Sequence, residues 1–296
     1  MARLLSNRAG TIPADPPKEV NFNSKSLTIT PLFCKKKSGL AIFILLLFFA
    51  PSLHAAGIIA TIPPLAAVVQ MLDRETPISC LLPPGSDPHH FQLSPRQVEK
   101  LNRARLLIRS SKDDHGWMQI PANTPVIDIW PEQDHAWLNP DNLSTALPAV
   151  ARQLIALFPD RKTAIEANLK RSMDEVGKIR SELREALTTL QSSGVMMQHP
   201  SWRRLFDAYD IPVHSVLESQ RHGHEHGPRH LEKALKTLEK HPDAVLIGDV
   251  RHSNRSLEWL ASHSKDKKIL FLDALGSCGD SWASMMQQNI SRISEQ

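Results

Sequence analysis

From Gly57 onward, short apolar runs alternate with stretches whose apolar residues recur at helical spacing, the pattern of successive βα units feeding parallel sheets. Strands are expected at 57–62, 77–82, 105–108 and 126–129, and again at 194–198, 213–217, 244–247 and 268–272. A helix at 64–73 has proline near its first turn, and Ser94-Pro95 supplies the N-cap and N1 residues of a second helix running to Asn102. Further helices are expected between the later strands, notably 228–240, and one closes the chain from Asp280. The two groups of strands define two lobes, 57–159 and 192–296. Between them, residues 160–191 are rich in Ala, Glu, Lys, Arg and Leu and contain no proline. As one helix this segment spans ~48 Å and acts as a stiff strut, unlike a Gly/Ser hinge. Gly177 costs ~1 kcal/mol against alanine and marks where a local bend would fall. The predicted fold class is therefore α/β: two lobes, each with a parallel sheet flanked by helices, joined by one long rigid linker helix.

Ahead of the lobes the pattern changes. Residues 39–56 read GLAIFILLLFFAPSLHAA, an apolar run preceded by Lys35, Lys36 and Lys37, closed by Pro51 and followed by Ala55 and Ala56. It is shorter than the ~20 residues of a membrane span and has the architecture of a secretory signal, so residues 1–56 are expected to be a leader cleaved near Ala55 or Ala56. The largely polar stretch of 38 residues in front is long for such a leader and points to a start codon further downstream; an uncleaved anchor is the alternative. Cys34 precedes the apolar run, where a lipid-attachment cysteine would follow it, so the mature chain is expected in the periplasm without a lipid anchor.

Composition sharpens this picture. With 296 residues, 41% hydrophobic and 22% charged, the chain has the makings of real cores and is not a disordered scaffold. The net charge of +4 invites a nucleic-acid partner, but seven basic against two acidic side chains fall in the first 56 residues. Beyond them 28 basic face 29 acidic residues, so no nucleic-acid surface is expected. Only Cys80 and Cys278 lie beyond the leader. In an oxidising compartment they can pair, or they remain two buried thiols; the sequence leaves both open.

Ligands of open parallel sheets bind beyond the carboxyl ends of the strands, so the polar residues that follow each predicted strand are the candidates for chemistry. The second strand leads to His89 and His90, the fourth to His135, the first of the C-terminal lobe to His199, and the last to Asp273. Intervals of 46, 64 and 74 residues between successive members exclude a zinc finger or any other local loop site. A lone histidine at a strand end is more often a hydrogen-bonded structural residue, but three of them and a carboxylate at equivalent places favour a shared site between the lobes.

The blocks LLPPGSDPHHFQLSPRQVEKL, DHAWLNPDN, GVMMQHPSWRRLFDAYDIPV and FLDALG resemble, in order, those of the metal-binding family of ABC-transporter solute-binding proteins that deliver zinc or manganese. The resemblance runs from about Gly57 to the C-terminus. It implies two lobes joined by a long helix, and a metal held by His89, His135, His199 and Asp273. It also implies a monomer that docks on a membrane permease driven by a cytoplasmic ATPase. His90 falls at a variable position of the family and reads as a solvated neighbour of His89. The interval between the first two ligands, which often carries a His-rich loop in zinc-binding members, here holds only His115 beside Asp113 and Asp114. Instead, His222, His224, His226 and His230 stand where the family usually has a Glu-Pro-Ser-Pro turn. They form either a metal-capturing loop or a solvated one. Asp249 stands where the family tends to have glutamate, and is a second acidic candidate.

Three imidazoles and one carboxylate suit Zn²⁺, whereas Mn²⁺ prefers more oxygen ligands; a manganese or mixed-metal protein of the same class is the alternative. A further alternative is a zinc-dependent periplasmic hydrolase, with three histidines, a metal-bound water, and Asp273 or Glu218 as general base. No compact HExxH motif supports it. A periplasmic zinc buffer without a permease is a third.

Overall fold

The computed structural model describes residues 57–88, 90–110, 124–218, 228–265 and 267–296. The leader therefore lies outside the described residues, as do His89, residues 111–123 with His115, and residues 219–227 with His222, His224 and His226.

The first lobe is built on strands β1 (Ile58–Ala60), β2 (Ile78–Cys80), β3 (Leu106–Arg109) and β4 (Val126–Asp128). They pair in the order β2-β1-β3-β4, all parallel. The second lobe repeats the arrangement with β5 (Val195–Met197), β6 (Val213–Val216), β7 (Val245–Asp249) and β8 (Ile269–Leu272), in the order β6-β5-β7-β8 and again parallel. In both sheets the chain first winds one way and then the other. The crevice for a ligand therefore opens at the carboxyl ends of β1 and β3 in one lobe and of β5 and β7 in the other.

Local chemistry explains the helices. Helix α1 (Pro63–Leu72) begins with two prolines, which need no amide partner there. Helix α2 (Pro95–Asn102) is opened by a reciprocal capping box: Ser94 Oγ accepts from the Gln97 amide, while Gln97 Oε1 accepts from the Ser94 amide at 2.8 Å. Helix α3 (Pro140–Leu157) follows β4, with Asn139 accepting from the Asp141 amide at its start. Its interior contains Pro148, and the sequence pattern did not predict it. The linker is helix α4 (Lys162–Gln191), thirty residues and ~45 Å long, entered through a single 3₁₀ turn at Pro159–Arg161 and continuous through Gly177. Helices α5 (Arg203–Ala208), α6 (Pro228–Lys240) and α7 (Arg255–Ser262) connect the strands of the second lobe, and α8 (Trp282–Ser294) closes it.

Ile165, Asn168, Ser172, Val176, Ile179, Leu183, Leu187 and Leu190 recur at intervals of three and four and form the buried face of α4. This face packs on α1 and α3 of the first lobe and on α8 of the second. Its two polar members are satisfied: Asn168 Nδ2 donates to the Leu72 carbonyl at 2.8 Å and Ser172 Oγ to that of Met71 at 2.9 Å, closing the open end of α1. One continuous apolar cluster runs from Ile58 and Leu65 through α4 to Trp137, Trp202 and Trp282, so the lobes share a core. A disulfide between Cys80, at the end of β2, and Cys278, in the loop before α8, joins them a second time.

Candidate metal centre

Each candidate side chain among the described residues is delivered by a loop at the carboxyl end of a strand. In the first lobe the loop after β4 carries Asp134 and His135 into a 3₁₀ turn at Ala136–Leu138. His135 adopts φ 50°, ψ 29°, a left-handed conformation uncommon for a residue with a side chain. The turn is anchored across the interface. Trp137 Nε1 donates to the Ala274 carbonyl and Trp282 Nε1 to that of Trp137, both at 2.7 Å and buried.

His199 lies two residues beyond β5 and is 8% exposed. Its ring stands edge-on to that of His135, with centroids 5.6 Å apart at 68°, so imidazoles from the two lobes face one another. His199 Nδ1 pairs with Ser201 Oγ at 2.8 Å, and Ser201 donates onward to Asp249 Oδ2 at 3.1 Å. Such a chain holds the ring in one orientation. Burial raises the pKa of Asp249 above the ordinary 3.8. The charge of His252, the Arg251 amide and Ser201 act in the other direction without reversing it, and Asp273 adds to the rise.

Beyond β7, the sequence Asp249-Val250-Arg251-His252-Ser253-Asn254 folds into a pinned turn. Asp249 Oδ1 accepts from the Arg251 amide at 2.8 Å, and Asn254 Nδ2 donates to the carbonyls of Asp249 and His252 at 2.9 Å. This turn lays the His252 ring flat on that of His199, centroids 4.1 Å apart at 7°. His252 Nδ1 is 3.4 Å from Asp87 Oδ2 in the other lobe. Burial alone would lower the pKa of His252. The hydrogen bond to Asp87 and the charges of Asp249, Asp87 and Glu218 outweigh it, and the net direction is upward from 6.5. Glu218, two residues past β6 and buried, is held by Gln198 Nε2 at 2.9 Å. His199, Glu218 and His252 each offer a ligand atom within 4.8 Å of the others. A small cavity bounded by Pro88, His135, Trp137, Ser201, His252 and Leu275 lies at the same place.

The four residues singled out in the sequence are therefore disposed differently. His135 and His199 meet. His89 lies outside the described residues; its neighbour His90 is exposed, 4.0 Å from Asp87. Asp273 is engaged elsewhere: Oδ1 accepts from the amides of Leu275 and Gly276 at 3.0 and 2.9 Å, and Oδ2 lies 3.4 Å from Arg251 Nη2. His230, the described member of the histidine-rich segment, contacts the Val216 carbonyl at 3.3 Å. Strand-end reasoning overlooked His252, because that strand was read as ending at Ile247 and the search stopped at Asp249.

Two parallel-sheet lobes about one long helix, with imidazoles from both gathered at the strand ends, define the class of two-lobed α/β binding proteins. Residues 58–296 match the family described as "Zinc-uptake complex component A periplasmic" (ZnuA), and the chain belongs to that family. It is 24% identical over 251 residues to the manganese ABC transporter substrate-binding lipoprotein scaA of Streptococcus gordonii, covering 73% of this chain and 80% of that one. With the same identity and coverage it is similar to the iron ABC transporter substrate-binding lipoprotein MtsA of Streptococcus pyogenes serotype M1. Its fold is that of a crystal structure of ZnuA, with TM-score 0.72 and 23% identity over 81% of this chain and 98% of that one. The protein is thus the metal-binding, substrate-binding component of an ABC transporter. Proteins of this family are not enzymes, which sets aside the hydrolase alternative.

Proposed function

We propose that the protein captures Zn²⁺ in the interlobe cleft and delivers it, as a monomer, to an ABC-type permease driven by a cytoplasmic ATPase. Residues 1–56 act as the export leader, and the work is done in the periplasm. The observation that carries this reading is the meeting of His135 and His199, 5.6 Å apart between ring centroids, from lobes separated by the whole linker helix. His89 is the further ligand that the first lobe contributes. An imidazole-rich donor set favours zinc over manganese, which takes more oxygen. The relatives named for manganese and iron make those two ions the necessary comparison. Asp273 is the fourth ligand of this reading, and its place there depends on giving up Arg251, 3.4 Å away.

The test is a titration of the purified protein with zinc, manganese and iron against competing chelators. One zinc should bind tightly, with the other two weaker, and His135→Ala or His199→Ala should each lower zinc affinity by at least ~100-fold. Wild-type affinity in both variants overturns the interlobe site. A preference for manganese overturns the choice of ion and leaves the transporter reading standing.

A further inference from the structure

We infer that Arg251 is a resident counter-ion that competes with the metal for Asp273, lowering its affinity and easing its release; this rests on the interlobe metal site proposed above, with Asp273 among its ligands. The two carboxylate oxygens of Asp273 are committed differently. Oδ1 accepts from the Leu275 and Gly276 amides at 3.0 and 2.9 Å, and the backbone of the residue is clasped by Asn289 in both directions at 2.8 Å. Oδ2 is thus the oxygen left to face a cation, and the cation it faces is Arg251 Nη2 at 3.4 Å. An incoming metal ion and the guanidinium claim the same atom.

Three features give this competition weight. The two side chains are only 15% and 19% exposed, so water and salt screen the pair less than a surface contact. Taking the carboxylate from Arg251 strands a largely buried charge, the costly way to break such a pair, and Arg251 Nε is already buried without a hydrogen-bond partner. Arg251 is also moored where it stands: its amide donates to Asp249 Oδ1 at 2.8 Å, and Nη2 donates to the Gly276 carbonyl at 2.5 Å as well as facing Asp273. A guanidinium displaced by the metal therefore stays within reach of the oxygen it has lost. The bound ion holds Asp273 against a competitor fixed beside it, which lowers affinity and opens a route by which the aspartate lets go first.

The deciding experiment is a double-mutant cycle on the purified protein, comparing wild type, Arg251→Gln, Asp273→Asn and the double variant. Zinc affinity is measured by chelator competition and zinc release by stopped-flow mixing with excess chelator. Arg251→Gln is expected to bind zinc at least ~5-fold more tightly and to release it more slowly, Asp273→Asn to bind it more weakly, and the double variant to match Asp273→Asn within ~2-fold. An arginine with a merely structural role would weaken binding when replaced. Unchanged or weaker binding by Arg251→Gln overturns the inference, as does tightening without slower release, or wild-type affinity in Asp273→Asn. Tightening that persists in full in the double variant also overturns it, because the arginine then acts on the ion through its field and not through the aspartate. Should Arg251→Gln fail to fold by circular dichroism, Arg251→Met, neutral and unbranched, is read in its place. Failure of the site itself is read separately, from wild-type affinity in His135→Ala.

Discussion

His135 pays for its position with backbone strain. Its left-handed φ of 50° costs a side-chain-bearing residue of order 1 kcal/mol, held in place by the Trp137 and Trp282 hydrogen bonds that lock the following turn. His135→Gly should therefore be more stable than His135→Ala by ~1 kcal/mol in urea denaturation while binding zinc no better. Equal midpoints for the two variants would show that the conformation carries no strain. At this scale the sequence disclosed part of the site. His199 was legible because it lies two residues past the apolar run of β5, and His135, seven residues past β4, because it opens the His-Ala-Trp-Leu-Asn-Pro block. His252 was not, since no motif marks it, and the turn built by Asp249 and Asn254 lays it on His199. Arg251 facing Asp273 is a contact 22 residues apart in sequence, which no local pattern encodes.

Among the elements, the linker helix was the most legible, because its apolar stripe keeps helical spacing over thirty residues. Helix α3 was the least legible. Pro148 lies in its interior and removes a donor, yet Leu143, Leu147, Val150, Ala151 and Leu154 are buried on one face, and that packing outweighs the break. Where α1 ends and α4 begins, Asp73 meets Arg161 at 2.9 Å, accepts from Thr76 Oγ1 at 2.6 Å and from the Glu75 amide at 3.1 Å. Burial would raise the pKa of Asp73, but these hydrogen bonds and the charge of Arg161 lower it below 3.8. A carboxylate with a depressed folded-state pKa stabilises fully above its unfolded value and loses that contribution as pH falls through the folded one. Asp73→Asn should thus cost ~2 kcal/mol near neutral pH, and the gap to wild type should shrink as the pH falls below the ordinary 3.8. A gap independent of pH would assign the effect to packing.

For the molecule as a whole, the two sheets share one strand order, and their carboxyl ends face a common cleft. The βα alternation made this readable; the relative placement of the lobes was not, because it depends on the shared core around α4, Trp137 and Trp282. Whether the two cysteines pair was also open in the sequence, and the structure joins them. Cys80→Ser with Cys278→Ser should lower unfolding free energy by ~2–5 kcal/mol, seen as a reduced denaturation midpoint. An unchanged midpoint would mean that the crosslink leaves the unfolded chain as free as before.

That crosslink also bears on how cargo leaves. Joined by the long helix, by the Cys80–Cys278 bridge and by a shared core, the halves are moored at more than one point, which leaves little room for a wide opening between them. On the proposed reading, a transporter meeting this carrier has no gaping jaw to pry apart and would coax the ion out by moving the short loops that bear His135 and His199.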